Sequence, residues 1–223
     1  MGFISIEQSE NLFWLGRYVE RVYLTLRNFD QLYDVLLDKD DRAYVAYCEN
    51  LNIENIYENE IDFISRYLFD SKNPDSVYAN LSRAYDNGIV LRNVISSASL
   101  SYLQMALDTL EEGRKTKSCI LLNQQVIDYL LAFWGCIDDY CDSHQRRNVI
   151  KAGRYMERLD MQLRLHESWN RIDVTIHKLE RRLEGARLSY STECIRALLN
   201  YSRLGLDDKL AYSEALGIVH KLV

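Results

Sequence analysis

The chain has 223 residues, of which 48% are hydrophobic and 27% charged, and its formal net charge is −6. These values are ordinary for a globular protein with a buried core, and the negative charge excludes a bulk nucleic-acid binder, which needs a basic face. Proline occurs once, at Pro74, and glycine nine times, so the scarcity of chain breakers favours long helices over turn-rich β structure.

The first helix is predicted over residues 5–37, because apolar side chains recur there at helical spacing. Leu12, Leu15, Val19, Val22 and Leu26 follow intervals of three and four residues. The charged stretch 38–42 ends this helix. Two shorter helices are predicted next, over residues 43–50 and 58–69.

The clearest break in the chain is the polar segment 71–76, which contains Pro74 and provides start signals for the next helix. From Val77 to Met105, apolar residues repeat at alternating intervals of four and three. This stripe predicts one long helix that ends near Gly113 and is kinked at Ser96 and Ser97.

The remaining sequence predicts helices over residues 117–141, 145–169, 172–188, 192–202 and 206–222. No segment shows the sustained period-2 alternation of a strand, and no hairpin turn links strand-like runs. We therefore predict an all-α fold, an antiparallel bundle of long helices that forms a single domain over residues 1–223.

Cysteine usage and the N-terminus predict a cytoplasmic protein. The five cysteines are irregularly spaced without a Cys-x-x-Cys pair, which favours a reduced, intracellular protein. Residues 1–9 lack the basic start and apolar stretch of a signal peptide, and the longest apolar run, 129–137, is far short of the ~20 residues that span a bilayer. The four histidines form no ligand pair at local spacing, so we expect neither a metal site nor a cofactor.

One charged motif, Gly-Arg-Tyr-x-Glu-Arg, occurs twice. Residues 16–21 and 153–158 carry it, and extension to residues 27 and 164 gives seven identities in twelve positions. Chance rarely produces such a match within one chain, so we interpret it as an internal pseudo-repeat of a helix. Gly16 and Gly153 would allow the two backbones to approach closely.

Helical geometry places the motif glutamates, Glu20 and Glu157, within a wide apolar arc. A buried carboxylate without a partner is costly, so each glutamate should have a cationic partner. We hypothesise reciprocal pairs across a pseudo-two-fold axis, Glu20 with Arg164 and Glu157 with Arg27. The geometry directs Arg21 and Arg158 toward the more polar side.

Three roles for the motif remain open. The charges form a structural network that fixes helix register, or the arginines grip a phosphate or carboxylate, or a glutamate acts as a general base. No nucleophile or second catalytic group is evident beside the glutamates, so we assign no catalytic residue. The candidate ligand-binding residues are Arg17, Glu20, Arg21, Arg27, Arg154, Glu157, Arg158 and Arg164.

Three segments resemble the bacterial Alpha-E family, whose helical domains are named for an E-R motif. Residues 10–21 are similar to the family's opening signature. Residues 73–77, 84–87 and 91–96 are similar to its middle motif, and residues 153–160 to its later motif, in the same order. Where the family usually reads Ala-Arg-Glu-Asn, Tyr85 and Asp86 replace the arginine and the glutamate. The chain is also shorter than typical members.

The resemblance implies an association rather than a reaction. Family members accompany ATP-grasp-type amide ligases and transglutaminase-like proteins, sometimes in one polypeptide. The leading hypothesis is therefore a non-catalytic accessory or scaffold protein with such a partner, which predicts an exposed apolar patch. The alternative is an anion-binding protein or enzyme with a solvent-reached pocket lined by Arg17, Glu20, Arg154 and Glu157. A third hypothesis is a structural bundle that forms oligomers.

Overall fold

The computed structural model describes residues 4–38, 40–116, 120–206 and 208–223. The predicted helix start at Lys117 and one of the five cysteines, Cys119, lie outside these residues. Within them the chain forms ten helices and no strand, which confirms the all-α class. The helices are α1 (Ile6–Asp38), α2 (Ala43–Leu51), α3 (Glu60–Phe69), α4 (Val77–Val90), α5 (Arg92–Thr116), α6 (Ile120–Tyr140), α7 (His144–Arg164), α8 (Trp169–Ala186), α9 (Thr192–Leu204) and α10 (Lys209–Val219).

The chain divides into two compact units. Unit 1 combines Met1–Glu20 with Asp142–Val223, and unit 2 is the continuous segment Arg21–Cys141. The prediction of a single domain over residues 1–223 stays a prediction.

Unit 1 is built around α7, which packs on α8 and α10, while α9 packs on α8 and α10. Short connections join successive helices, so each pair forms an antiparallel hairpin. The core consists of the apolar faces of these four helices, with Leu159, Ile176, Leu183 and Leu198 fully buried. The N-terminal part of α1 packs against this core through Phe13.

Unit 2 is built around α5, which packs on α4 and α6, while α3 packs on both α4 and α5. An aromatic cluster surrounds Phe63 of α3, whose ring centroid lies 5.0 to 6.5 Å from the rings of Phe29, Tyr44, Tyr47, Tyr57 and Tyr67. Edge and offset ring contacts of this kind contribute packing energy beyond the apolar area that they bury.

The stripe that begins at Val77 is not one helix. It divides at Leu91, which has φ −94° and ψ 7°, because Gly88 and the β-branched Ile89 and Val90 have low helix propensity. The predicted irregularity at Ser96 is confirmed, since this residue has φ 74° and ψ 155°, a conformation that is strained for any residue other than glycine.

Side-chain caps define where the helices begin. Asn59, Ser76, Ser143, Ser191 and Asp208 each accept a hydrogen bond from the backbone N–H three residues later. Each bond satisfies one of the donors that a helix leaves open at its first turn. The polar segment around Pro74 therefore acts through Ser76, and α4 begins at Val77.

None of the helices described is both long and apolar enough to cross a membrane. Across residues 4–38, 40–116, 120–206 and 208–223, no group of three histidine, cysteine, aspartate or glutamate side chains is placed to hold a metal ion.

Candidate functional site

The two copies of the motif bring α1 and α7 into backbone contact. A Cβ atom added to Gly16 would overlap the carbonyl oxygen of Ile150, and one added to Gly153 would overlap the carbonyl oxygen of Phe13. The contacts are reciprocal, because Phe13 and Ile150 each precede a motif glycine by three residues. Only glycine permits so close an approach, so these two residues define where the helices cross.

Ion pairs connect the two helices beside this crossing. The Nε atom of Arg154 donates to Oε2 of Glu20 over 2.9 Å, and Nε of Arg158 donates to Oε1 of the same carboxylate over 2.6 Å. In the opposite direction, Nε of Arg17 donates to Oε2 of Glu157 over 2.7 Å. We call these five residues the ER cluster.

Burial makes the ER cluster different from a surface network. The side chains of Glu20 and Glu157 are 0% exposed, whereas those of Arg17, Arg154 and Arg158 are 17 to 23% exposed. A buried carboxylate loses its hydration and depends on its partners for compensation, while the outer edges of the arginines keep contact with water. Removal of one arginine would therefore cost more than removal of an exposed ion pair.

The predicted partner of Glu20 is wrong. We expect Arg164 from the sequence, and the structure pairs Glu20 with Arg154 and Arg158. The predicted pair of Glu157 with Arg27 joins residues of the two units and stays a prediction, whereas within unit 1 Glu157 pairs with Arg17. Arg164 lies eleven residues beyond Gly153, which is about 16 Å along the α7 axis from the crossing. An arginine side chain cannot span that distance to a carboxylate at the crossing.

Arg27 and Arg164 instead have partners on their own helices. Arg164 Nε donates to Oδ2 of Asp160 over 2.6 Å, and Arg27 Nη1 donates to the hydroxyl of Tyr23 over 3.3 Å. Both are contacts between residues four apart, which lie on one face of a helix.

Arg158 also differs from its predicted orientation, because it reaches the buried Glu20 rather than the polar side. Arg21 begins unit 2, where it lies close enough to Tyr67 to oppose the effect of burial on that residue. Burial raises the pKa of the Tyr67 phenol well above its ordinary value, and the nearby guanidinium partly lowers it again.

A cavity of about 320 Å³ adjoins the ER cluster in unit 1. Of the four residues predicted to line a pocket, Arg17 lines this cavity and Arg154 does not. Glu20 and Glu157 are fully buried and do not meet solvent. The lining combines two aromatic, three aliphatic and three polar side chains: Phe13, Trp14, Met156, Val219, Val223, Arg17, Asp160 and His220.

Sequence reasoning missed two of the polar residues, Asp160 and His220, and both aromatic residues, Phe13 and Trp14, in this lining. His220 and Asp160 meet through a 3.3 Å contact between Nε2 and Oδ1, although 60 residues separate them. The spacing of residues along the sequence cannot predict a contact between side chains so far apart in the chain. Trp14 did carry a signal, since it lies three residues before Arg17 and one helical turn brings the two side chains together.

A family model described as "a predicted alpha-helical domain with a conserved ER motif" matches residues 8–205. The chain belongs to the Alpha-E family. The two Glu-Arg pairs of this Alpha-E chain, residues 20–21 and 157–158, lie in the motif that occurs twice in the sequence. Neither the curated proteins nor the solved structures contain a significant match to the chain.

Proposed function

We propose that this Alpha-E chain is a non-catalytic helical accessory protein that binds an ATP-grasp-type amide ligase or a transglutaminase-like protein. The observation that carries the proposal is the complete burial of both motif glutamates against arginines of the facing helix. Their charges compensate each other, so the motif fixes how α1 lies on α7 and presents no reactive group to a substrate.

Burial also argues against the glutamates as catalytic bases. A general base must come within hydrogen-bond distance of the proton that it removes. Both carboxylates are 0% exposed and hold arginine N–H groups at 2.6 to 2.9 Å, so substrate access would require α1 and α7 to separate.

A candidate partner-binding surface lies at the turn between α9 and α10. Leu204, Leu206 and Leu210 are 66%, 46% and 67% exposed, and we call them the leucine patch. The three leucines lie within seven residues of sequence, and exposed apolar side chains that form a patch mark interaction sites. Leu206 is held in place because the indole N–H of Trp169 donates to its carbonyl oxygen over 2.9 Å.

Cellular location and evolutionary origin are also part of the proposal. We infer a bacterial, cytoplasmic protein whose two motif helices descend from one duplicated helix. The duplication is supported by seven identities in twelve positions and by the reciprocal glycine contacts. The ligase partner is supported by the resemblance, because Alpha-E proteins accompany ATP-grasp-type ligases and transglutaminase-like proteins. This support is an association and not a contact in this structure.

The experiment is affinity purification from the native cell followed by mass spectrometry, and then reconstitution with the purified partner. Leu204→Glu combined with Leu210→Glu changes the leucine patch. The control is Val174→Glu, which changes an apolar side chain of α8 that is 50% exposed and belongs to the same unit.

We expect the wild-type chain and the control to retain an amide ligase or transglutaminase-like protein. The patch variant should bind the purified partner at least about tenfold more weakly. Recovery of the chain without such a protein would contradict the proposal, and equal binding by the patch variant would exclude the leucine patch. A homodimer that the patch variant abolishes would instead favour the oligomer hypothesis.

A further inference from the structure

The cavity beside the ER cluster has the size and composition of a small-molecule site. Ligand sites in proteins range from roughly 300 to 1,000 Å³ and combine apolar walls with a few polar groups. At about 320 Å³ this cavity suits a compact ligand, and Phe13, Met156 and Val219 provide its apolar walls. Three polar side chains complete the lining.

Arg17 is the most distinctive of these polar residues, because its guanidinium group contacts both a buried carboxylate and an aromatic ring. Its Nε atom bonds the buried Glu157 over 2.7 Å, and its Cζ atom lies 4.9 Å from the ring centroid of Trp14. Its two terminal nitrogens form no hydrogen bond with any residue that the structure describes. A fixed guanidinium with unengaged terminal N–H groups is suited to a carboxylate, which accepts two parallel hydrogen bonds.

His220 provides a second polar contact in the lining. Its Nε2 atom lies 3.3 Å from Oδ1 of Asp160, and Oδ2 of that carboxylate accepts from Arg164 over 2.6 Å. Asp160 thereby orients the imidazole, whose Nδ1 atom forms no hydrogen bond within the described chain. The side chain of His220 is 56% exposed, so a ligand can reach it from solvent.

The charges around the cavity argue against a dianionic ligand. Glu157 balances Arg17, and Arg164 balances Asp160, so these four groups sum to zero. The cavity thus supplies directed N–H donors without the excess of positive charge that a phosphate dianion requires.

We propose that this cavity binds a small carboxylate that carries an apolar or aromatic group. The carboxylate is bound by the terminal nitrogens of Arg17, and the apolar group packs against Phe13, Met156 and Val219. The inference is independent of the accessory role proposed above, because it concerns the cavity and not the leucine patch.

The test is a titration of the protein with phenylacetate, followed by calorimetry and by NMR of the Arg17 side-chain Nε–H group. Phenylacetamide lacks the charge, acetate lacks the apolar group, and inorganic phosphate tests for a general anion site. Phenylacetate should bind at least about tenfold more tightly than each of the three, and it should shift the Arg17 resonance.

Two matched variants locate the binding. His220→Glu places a carboxylate in the lining and should weaken phenylacetate binding at least about tenfold. His177→Glu makes the same change at a similarly exposed position of α8 outside the lining and should leave binding unchanged. Both substitutions avoid the ER cluster, so both proteins should fold, as thermal unfolding will show.

A peptide probe, acetyl-glycyl-phenylalanine, separates two sources of the carboxylate. Tighter binding than phenylacetate assigns the site to a peptide C-terminus, and weaker binding assigns it to a free acid. The proposal is overturned by equal affinity for phenylacetate and phenylacetamide, by the absence of saturable binding, or by unchanged affinity in His220→Glu.

Discussion

The substitution Gly16→Ala should destabilise the protein, although replacing glycine by alanine in a solvent-exposed helix stabilises that helix. Alanine exceeds glycine in helix propensity by about 1 kcal/mol. At Gly16, however, the new methyl group would overlap the carbonyl oxygen of Ile150 and lie 3.0 Å from the backbone nitrogen of Arg154. Both atoms belong to the α7 backbone and cannot rotate away, so the helices must separate.

The size of the effect follows from what the separation disturbs. Overpacking alone costs typically about 1–3 kcal/mol. Separation also lengthens the 2.7 Å bond between Arg17 and Glu157 and the 2.9 Å bond between Arg154 and Glu20, and complete loss of a buried pair costs about 3–5 kcal/mol. With these bonds weakened rather than lost, and the propensity gain subtracted, we expect a net loss of about 2–5 kcal/mol.

Urea unfolding followed by circular dichroism at the helical band measures this change in the free energy of unfolding. The control is Gly217→Ala in α10 of the same unit, where an added Cβ meets no atom within 4 Å. We expect this control to gain about 0.5–1 kcal/mol. If Gly16→Ala proves as stable as the wild type, the backbone contact at the helix crossing is refuted.

Three further predictions concern charge, pH and helix capping. Glu20→Ala should lower the free energy of unfolding by about 3–5 kcal/mol, because it leaves Arg154 and Arg158 without their buried partner. Stability should fall as pH rises from about 10 toward 12. Burial raises the pKa of Tyr47 to about 12, so above pH 10 the unfolded state releases a proton that the folded state retains, at a cost of about 2–3 kcal/mol by pH 12. Ser76→Ala should cost about 1–2 kcal/mol, because the hydroxyl caps α4 and also donates to the Asp70 carbonyl over 2.7 Å.

Chemical denaturation of matched variants checks each of these three. The exposed Glu10→Ala should change the free energy of unfolding by less than about 0.5 kcal/mol, and an equally small effect of Glu20→Ala would place Glu20 in solvent. Tyr47→Phe should reduce the alkaline loss, so an unchanged pH profile would count against its burial. Ser101→Ala, on an exposed face of α5, is the control for the α4 cap, and equal effects of the two serine variants would contradict the role of Ser76.

The helices were largely predictable, because they depend on local signals. The spacing of Leu12, Leu15 and Val19 predicted α1, and the structure buries all three. The division at Leu91 was missed, since the apolar stripe continues across it. The spacing of apolar residues indicates which face of a helix is buried. It does not reveal a single residue whose backbone dihedral angles are not helical.

The ER cluster was predicted in composition but not in pairing. Burial of Glu20 and Glu157 follows from the apolar arc around each, which can be read from one helix alone. The partners depend on where two helices cross, and 134 to 140 residues separate the bonded side chains. Gly16 and Gly153 marked the crossing, and measuring outward from them would have favoured Arg17 and Arg154 over Arg27 and Arg164.

The discontinuity of unit 1 has a consequence for biosynthesis. Its first segment ends at Glu20 and its second begins at Asp142, so the ribosome must add more than a hundred residues before Arg154 and Arg158 exist to neutralise Glu20. At a translation rate of roughly 5–20 residues per second, the nascent N-terminal segment exists for many seconds before α7 is synthesised. Until then the glutamate stays hydrated, and unit 2, which is continuous in sequence, completes translation first.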